Sequence, residues 1–208
     1  MSNLYVCDHP LVQSKLAKLR DVSTKSKEFR ELVGELSSLI CYEATKNLPT
    51  KEIVVDGYFG ETPCKTLGTD VGVIAILRAG IGMVDGFINL VPNAKVGHIG
   101  LYRDPDTLMP VEYFCKIQKD AENMMIYVLD PMLATGGTAA AAIQFLKERG
   151  VKNIAFLCLV SSPEGVKKLQ EEHPDVDIYT AALDKGLNEK GYVVPGLGDA
   201  GDRLFGTK

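Results

Sequence analysis

The sequence predicts an α/β fold with a mainly parallel central sheet flanked by helices, and three observations carry that expectation. Val71–Leu77, residues 124–129 and residues 153–160 are near-continuous apolar runs rich in strand-forming side chains, as strands buried on both faces require. A segment with helical character follows each run, and strands alternating with helices build a parallel sheet through crossover connections. Two of the runs end at polar hinges, Arg78-Ala79-Gly80-Ile81-Gly82 and Asp130-Pro131, where open α/β sheets hold their ligands beyond the carboxyl ends of the strands. At 208 residues the chain suits one domain spanning 1–208.

Pro10–Arg20 begins with proline in the first helical turn and sets Leu11, Val12, Leu16 and Leu19 along one side. Residues 23–42 make the stronger helix. Phe29, Leu32, Val33, Leu36, Leu39 and Ile40 recur at i, i+3, i+4 and i+7, a face for core packing or a subunit interface. Residues 52–66 alternate in short strand-like pieces around Asp56-Gly57 and Gly60, which predicts a β-hairpin arm rather than a site. After the strand Val71–Leu77 comes a helix over 83–90. Residues 94–102 and 111–117 read as strands joined through Arg103-Asp104-Pro105-Asp106-Thr107, where Asp before Pro favours a turn. Residues 138–150 read as a helix ended by Lys147, Arg149 and Gly150. The strand 153–160 leads to a helix Pro163–Glu172, capped by Ser161 or Ser162, and then to a short strand over 177–181. The last stretch carries Gly186, Gly191, Gly196, Gly198, Gly201 and Gly206 around Tyr192-Val193-Val194-Pro195 and Leu197. Its apolar residues argue for a small folded hood contributed by 184–208, not a disordered tail.

The segment 124–150 holds the most informative chemistry. Asp130 stands at the strand's carboxyl end, and Leu133-Ala134-Thr135-Gly136-Gly137-Thr138 opens the next helix with its first backbone N–H groups bare. Bare N–H groups and two glycines that let the chain curl suit a phosphate dianion, with the helix-terminus field adding roughly 0.3–2 kcal/mol. Thr135 and Thr138 offer hydroxyl donors, and no residue of the loop is charged. A sugar phosphate is the expected ligand, with the Asp130 carboxylate accepting from its hydroxyls. The alternative for this segment alone is a plain βα turn in which Gly136-Gly137 only make room for packing. No G-x-x-x-x-G-K-S/T is present and no G-x-G-x-x-G follows this strand, which argues against nucleotide loops of those kinds. Arg78, beside small residues at a strand end, suits a diphosphate; its alternative is an ion pair with Asp85 or a neighbouring carboxylate. Arg103, taken alone, reads as a solvated loop arginine.

Composition narrows the function further. A net charge of −4 and a pI near 5.5 speak against nonspecific nucleic-acid binding, which needs a basic face. The apolar runs fall far short of a membrane span, and MSNLYVCDHP has no charged region followed by an apolar run, so the expected address is the cytoplasm. Five scattered cysteines read as reduced thiols. Three isolated histidines give no support to a zinc site or a Ser-His-Asp arrangement; His9 reads as a helix-start residue and His98 as a strand residue.

VLDPMLATGGT resembles the phosphoribosyl-diphosphate (PRPP) signature of the type I phosphoribosyltransferases, in the form carried by their uracil branch. AILRAGIGMVDGF at 75–87, GLYRDPDTLMPVEYF at 100–114, SSPEGV at 161–166 and GLNEKGYVVPGLGDAGDRLFGTK at 186–208 resemble the same family in the same order. The likeness runs from His9 to Lys208 and is weakest over 51–68. It implies the reaction uracil + PRPP → UMP + diphosphate, a pyrimidine salvage step using Mg²⁺ held mainly through PRPP and water, with no direct protein ligand. It implies that PRPP meets Arg78, Arg103, Asp130, Pro131, Met132, Leu133, Ala134, Thr135, Gly136, Gly137, Thr138 and Asp199. Uracil would be read near Val193, Gly198, Asp199 and Ala200, and catalysis would rest on Asp199, Arg103, Arg78 and Asp130. Many type I signatures carry two adjacent acidic residues at the strand end; Asp130-Pro131 agrees with the uracil branch instead. The resemblance also points to a homodimer or higher homo-oligomer and to GTP as a candidate effector, and it implies neither a nucleic-acid nor a membrane partner. A regulator that binds RNA on the same fold, and a transferase using a purine or orotate, are the competing readings.

Overall fold

Along each long strand, successive side chains enter two different cores, and that alternation makes three layers. The structure is a computed structural model describing residues 2–104 and 110–207, with Arg103 by its backbone alone. The chain runs β1 (Leu4–Val6), α1 (Pro10–Arg20), α2 (Ser26–Thr45), β2 (Thr50–Gly57), β3 (Gly60–Leu67), β4 (Val71–Leu77), α3 (Ile81–Leu90), β5 (Lys95–Arg103) and β6 (Pro110–Lys116). After a short 3-10 helix, Ala121–Asn123, come β7 (Met125–Leu129), β8 (Met132–Leu133), α4 (Gly137–Glu148), β9 (Asn153–Ser161) and α5 (Pro163–Glu172). It closes with β10 (Asp177–Leu183), β11 (Gly186–Leu187), β12 (Val193–Val194) and α6 (Ala200–Phe205).

The central sheet has the order β1-β10-β9-β7-β4-β5-β6, with β8 beside β9. Every pair is parallel except β5–β6, so the expected α/β fold with a mainly parallel sheet is observed. Val73, Ala75, Tyr127, Leu129, Ala155 and Leu157 point into a core shared with Leu16, Phe29, Leu36, Ile40 and Phe87 of α1, α2 and α3. Their neighbours Ile74, Ile76, Ile126, Val128, Phe156 and Cys158 point the other way, onto Ala139, Ala142, Ile143 and Leu146 of α4 and Leu169 of α5. Each fully buried Leu, Ile or Phe side chain contributes roughly 1.5–3 kcal/mol to holding these layers.

Local chemistry sets the helix ends. His9 caps α1, its Nδ1 accepting from Leu11 N–H at 3.2 Å, ahead of Pro10. α2 starts at Ser26, later than its periodicity suggests, because the preceding turn is tied down first: Asp21 Oδ1 accepts from Ser23 N–H at 2.8 Å and Thr24 Oγ1 donates to Lys18 O at 2.6 Å. Of the two serines before α5, Ser162 is the cap, accepting from Gly165 N–H at 2.9 Å. β2 and β3 form a separate two-stranded arm in which Gly57 faces Gly60 across the tip residues Tyr58 and Phe59. The turn expected at 103–107 falls largely outside the described residues; Arg103 pairs with Pro110 where the strands resume. The glycine-rich end is folded, with Val193, Leu197, Ala200 and Leu204 buried.

Candidate active site

Three neighbouring parallel strands, β7, β4 and β5, bring Asp130, Arg78 and Arg103 to the same carboxyl rim of the sheet. Asp130 follows β7 directly and is anchored to β9, its N–H donating to Leu157 O at 3.2 Å. Its half-buried carboxyl receives one long contact, from Met132 N–H to Oδ1 at 3.5 Å. Burial therefore dominates, and it pushes this carboxyl from its ordinary 3.8 up to about 7.

Between the hinge Asp130-Pro131 and Ala134 the chain is tied to β9. Pro131 O accepts from Leu159 and Val160 N–H groups at 3.0 and 3.2 Å, and β8 pairs Met132 and Leu133 with Val160 and Ser161. Ser162 then props the loop, its N–H donating to Leu133 O at 2.9 Å and its Oγ to Ala134 O at 2.6 Å. Gly165 packs under the same turn: a Cβ there would lie 2.3 Å from Ala134 O. Gly136 is left-handed at φ 79 and precedes α4 with no side-chain cap, so the bare helix start expected from the sequence is present. It also lies on α5, where a Cβ would come 2.9 Å from Gly165 O, so the packing reading of the glycine pair describes a second task of the same residue. Exposed Thr135 and Thr138 line a cleft of about 770 Å³ with Gly137, Tyr102, Gln144 and Lys168.

Arg78 sits in the turn after β4 with 58% of its side chain exposed. That turn abuts the end of β7, since a Cβ on Gly80 would fall 2.3 Å from Leu129 O. The carboxylate facing Arg78 is Asp202 of α6, at 3.7 Å, and its guanidinium also lies 5.9 Å from the Phe205 ring centroid. Asp85, the partner the sequence offers nearby, is exposed on α3. α6 is seated on α3 through Leu204, which occupies the space over Gly82. Asp199 caps α6 by accepting from Asp202 N–H at 2.9 Å, and a Cβ on Gly201 would lie 3.3 Å from Asp199 Oδ1 and 3.8 Å from Arg78 Nη2. Asp199 and Arg78 therefore both border Gly201, although 120 residues separate them. Val193 is buried in β12 opposite Leu187, Ala200 is buried, and Gly198 is exposed with φ 75. The side chain of Arg103 lies outside the described atoms.

The remaining chemistry is structural. Burial drives the Cys158 thiol up to about 12 and Cys7 to about 11, which keeps both protonated and unreactive near neutral pH. His173 is enclosed between Lys147 Nζ, 3.2 Å from Nδ1, and Ala140 O, 2.9 Å from Nε2. Among the described residues no three His, Cys, Asp or Glu side chains converge to hold a metal, and no helix is long and apolar enough to cross a membrane. Sequence reasoning missed Asp202, Ser162 and Gly165 as parts of this rim. Beyond its helix cap, SSPEGV stood out only by its resemblance, and no spacing rule shows which backbone Gly165 will meet.

The comparisons with known proteins agree across the whole chain. The family model described as uracil phosphoribosyltransferase matches residues 6–207. A uracil phosphoribosyltransferase of Dictyoglomus turgidum is 60% identical over 98% of this chain and 99% of its own length. One of Bacillus cytotoxicus is 61% identical over 100% of both. A solved structure of an Aquifex aeolicus protein superposes with a TM-score of 0.91 at 35% identity, covering 97% of each chain. With matches spanning both the strand-end rim and the folded tail above it, the chain belongs to the uracil phosphoribosyltransferase family.

Proposed function

We infer that this protein transfers the 5-phosphoribosyl group of PRPP to uracil, forming UMP and diphosphate in pyrimidine salvage. The observation that carries the reading is the juxtaposition of a half-buried carboxylate, an uncapped helix start and an arginine on one sheet rim, with α6 seated beside them. The 5-phosphate binds the backbone and hydroxyl donors of residues 134–138, and the ribose hydroxyls donate to Asp130. Arg78 and Arg103 receive the diphosphate. Arg78 is already oriented by Asp202 at 3.7 Å, a long pairing exposed on the arginine side that a phosphate oxygen outcompetes. Pro131, Met132 and Leu133 hold the loop to β9 and so fix where the phosphate sits.

In the reaction the C1–O bond to diphosphate breaks, the N1–C1 bond to uracil forms, and uracil loses its N1 proton. Positive charge builds on the ribose, so positioning and charge stabilisation carry the catalysis, with no covalent intermediate on the enzyme. Backbone groups of Val193, Gly198, Asp199 and Ala200 read the base, and the Asp199 carboxylate, exposed beside Arg78, faces the reacting ribose. Mg²⁺ would be held mainly through PRPP and water, and the Asp199 carboxylate would serve either a metal-bound water or the departing uracil N1 proton. When bound, Mg²⁺ neutralises charge on the departing diphosphate.

The chain acts as one phosphoribosyltransferase domain with 184–208 as its base-binding hood, in the cytoplasm, as a homodimer or higher homo-oligomer. The β2–β3 arm supports the assembly: Tyr58 and Phe59 at its tip are 97% and 98% exposed, on a lone hairpin of marginal stability in water. Light scattering tests the oligomer, and activity titrated with GTP tests that effector. The decisive experiment incubates the purified protein with PRPP, Mg²⁺ and a panel of bases: UMP from uracil is expected, and no turnover of any base refutes the reading.

A further inference from the structure

The hood presents a physical difficulty. Gly186, Gly191, Gly196 and Gly198 all have positive φ, and its two strands are two residues each. Glycine loses the most conformational freedom on ordering, and backbone groups discriminate a base only when they are held still. Something outside the hood must hold it.

Two arginines meet that need. Arg20, the last residue of α1, donates through Nη2 to Asp184 Oδ1 at 2.6 Å and through Nη1 to Asp184 Oδ2 at 2.9 Å and to Gly196 O at 2.8 Å. Gly196 N–H returns a hydrogen bond to Asp184 Oδ2 at 2.9 Å, closing the set. The Asp184 side chain is 5% exposed, so this is a buried, forked ion pair and not a surface contact. Arg203 of α6 donates through Nη1 to Leu19 O at 2.7 Å and Leu197 O at 2.9 Å, and through Nη2 to Asp21 O at 2.6 Å. Its guanidinium lies 4.2 Å from the Phe29 ring centroid. Both arginines border the same cleft of about 600 Å³ as Gly198 and Asp199.

We propose that Arg20, Asp184 and Arg203 are positioning residues for base recognition: they fasten Gly196 and Leu197, the residues just before the uracil-reading stretch 198–200, to the end of α1. The proposal rests on the reading above that this stretch receives uracil. None of the three residues touches the PRPP loop 134–138 in the hydrogen bonds they make. Loosening them therefore acts mainly on the base, reaching PRPP only through Asp199 and the seat of α6 beside Arg78.

The test uses the full-length enzyme with Arg20→Lys, Arg20→Ala and Arg203→Lys. Lysine keeps the charge but cannot reproduce the fork, so both lysine variants should fold even if the alanine variant does not. Steady-state kinetics, PRPP affinity by calorimetry and thermal midpoints are measured on each. The expected result is a rise in KM for uracil of about tenfold or more, the loss of one or two charge-assisted hydrogen bonds. PRPP affinity should stay within about threefold, and the preference for uracil over cytosine should narrow, since a loosened frame discriminates less. A merely structural role would lower the thermal midpoint while leaving KM for uracil and the preference unchanged, and that outcome overturns the proposal. So does an equal loss for uracil and PRPP. Wild-type enzyme that binds PRPP but makes no UMP overturns the base assignment together with this proposal, whereas normal wild-type turnover with unmoved variants overturns the proposal alone.

Discussion

Lowering the pH from 8 to 6 should weaken PRPP binding through one group, Asp130. Its carboxyl titrates near 7 instead of 3.8 because it is half-buried with a single long hydrogen bond. The folded pKa is raised, so the folded protein binds the proton more tightly than the unfolded chain between those two values. Stability contributed by the protonated carboxyl is complete below about 3.8 and is lost as the pH rises through about 7. The ionised form at higher pH thus carries a desolvation cost on the order of 4 kcal/mol. In the proposed site the ribose hydroxyls would relieve that cost by donating to the carboxylate and stabilising its charged form. Binding then expels the proton: about half a proton per site at pH 7, nearly one at pH 6 and almost none at pH 8.5. Apparent affinity falls by up to about tenfold per unit of pH below 7. Calorimetry in two buffers of different ionisation enthalpy measures the proton count. Asp130→Asn, which cannot titrate, subtracts the contribution of the substrate's own phosphates. Equal proton release by wild type and Asp130→Asn at pH 6 and pH 7 would refute the reasoning.

Gly137→Val should abolish PRPP binding while the protein stays folded, since a branched side chain crowds the first turn of α4, the proposed seat of the phosphate; unchanged affinity by calorimetry would dismiss the phosphate-loop assignment. Gly165→Ala tests the floor of that loop: its Cβ would lie 2.3 Å from Ala134 O, so PRPP affinity should drop by about tenfold or more, read by calorimetry. Arg103→Ala should cut kcat/KM by roughly a hundredfold, and near-normal kinetics would return this residue to solvent. Cytosine should yield no detectable CMP, because its N3 and N4 groups invert the donor and acceptor order of uracil N3 and O4, and backbone readers cannot change theirs. Such sites reject the wrong edge by roughly 10⁴-fold or more, and comparable rates for the two bases would overturn the uracil assignment.

Much of the fold is legible in the sequence because its strongest signals are local. Val71–Leu77, Pro10–Arg20 and Pro163–Glu172 are bounded in the structure as their apolar patterns and prolines indicate. The elements that escape are short or depend on distant partners. β1 and β8 are three and two residues long and exist by pairing with β10 and β9, and α6 has only six residues, too few to show a helical period. The late start of α2 has the same origin: Asp21 and Thr24 commit their side chains to the turn, and periodicity does not register that competition.

The site divides along the same line. Asp130 and the uncapped helix start lie within one βα unit, so chemistry and geometry are read together there. Arg78 is visible as an arginine at a strand end, yet its neighbour Asp202 is 124 residues away, and only the docking of α6 on α3 joins them. Glycine shows why this kind of assembly stays hidden. Gly80 and Gly165 leave 2.3 Å between an absent Cβ and the carbonyls of Leu129 and Ala134, so the strand-end turn and the loop before α4 close only because those positions are empty. The sequence records the missing side chain but not the backbone that occupies its place, and the approach of two backbones is what sets the strand-end turn against β7 and the loop before α4 against α5.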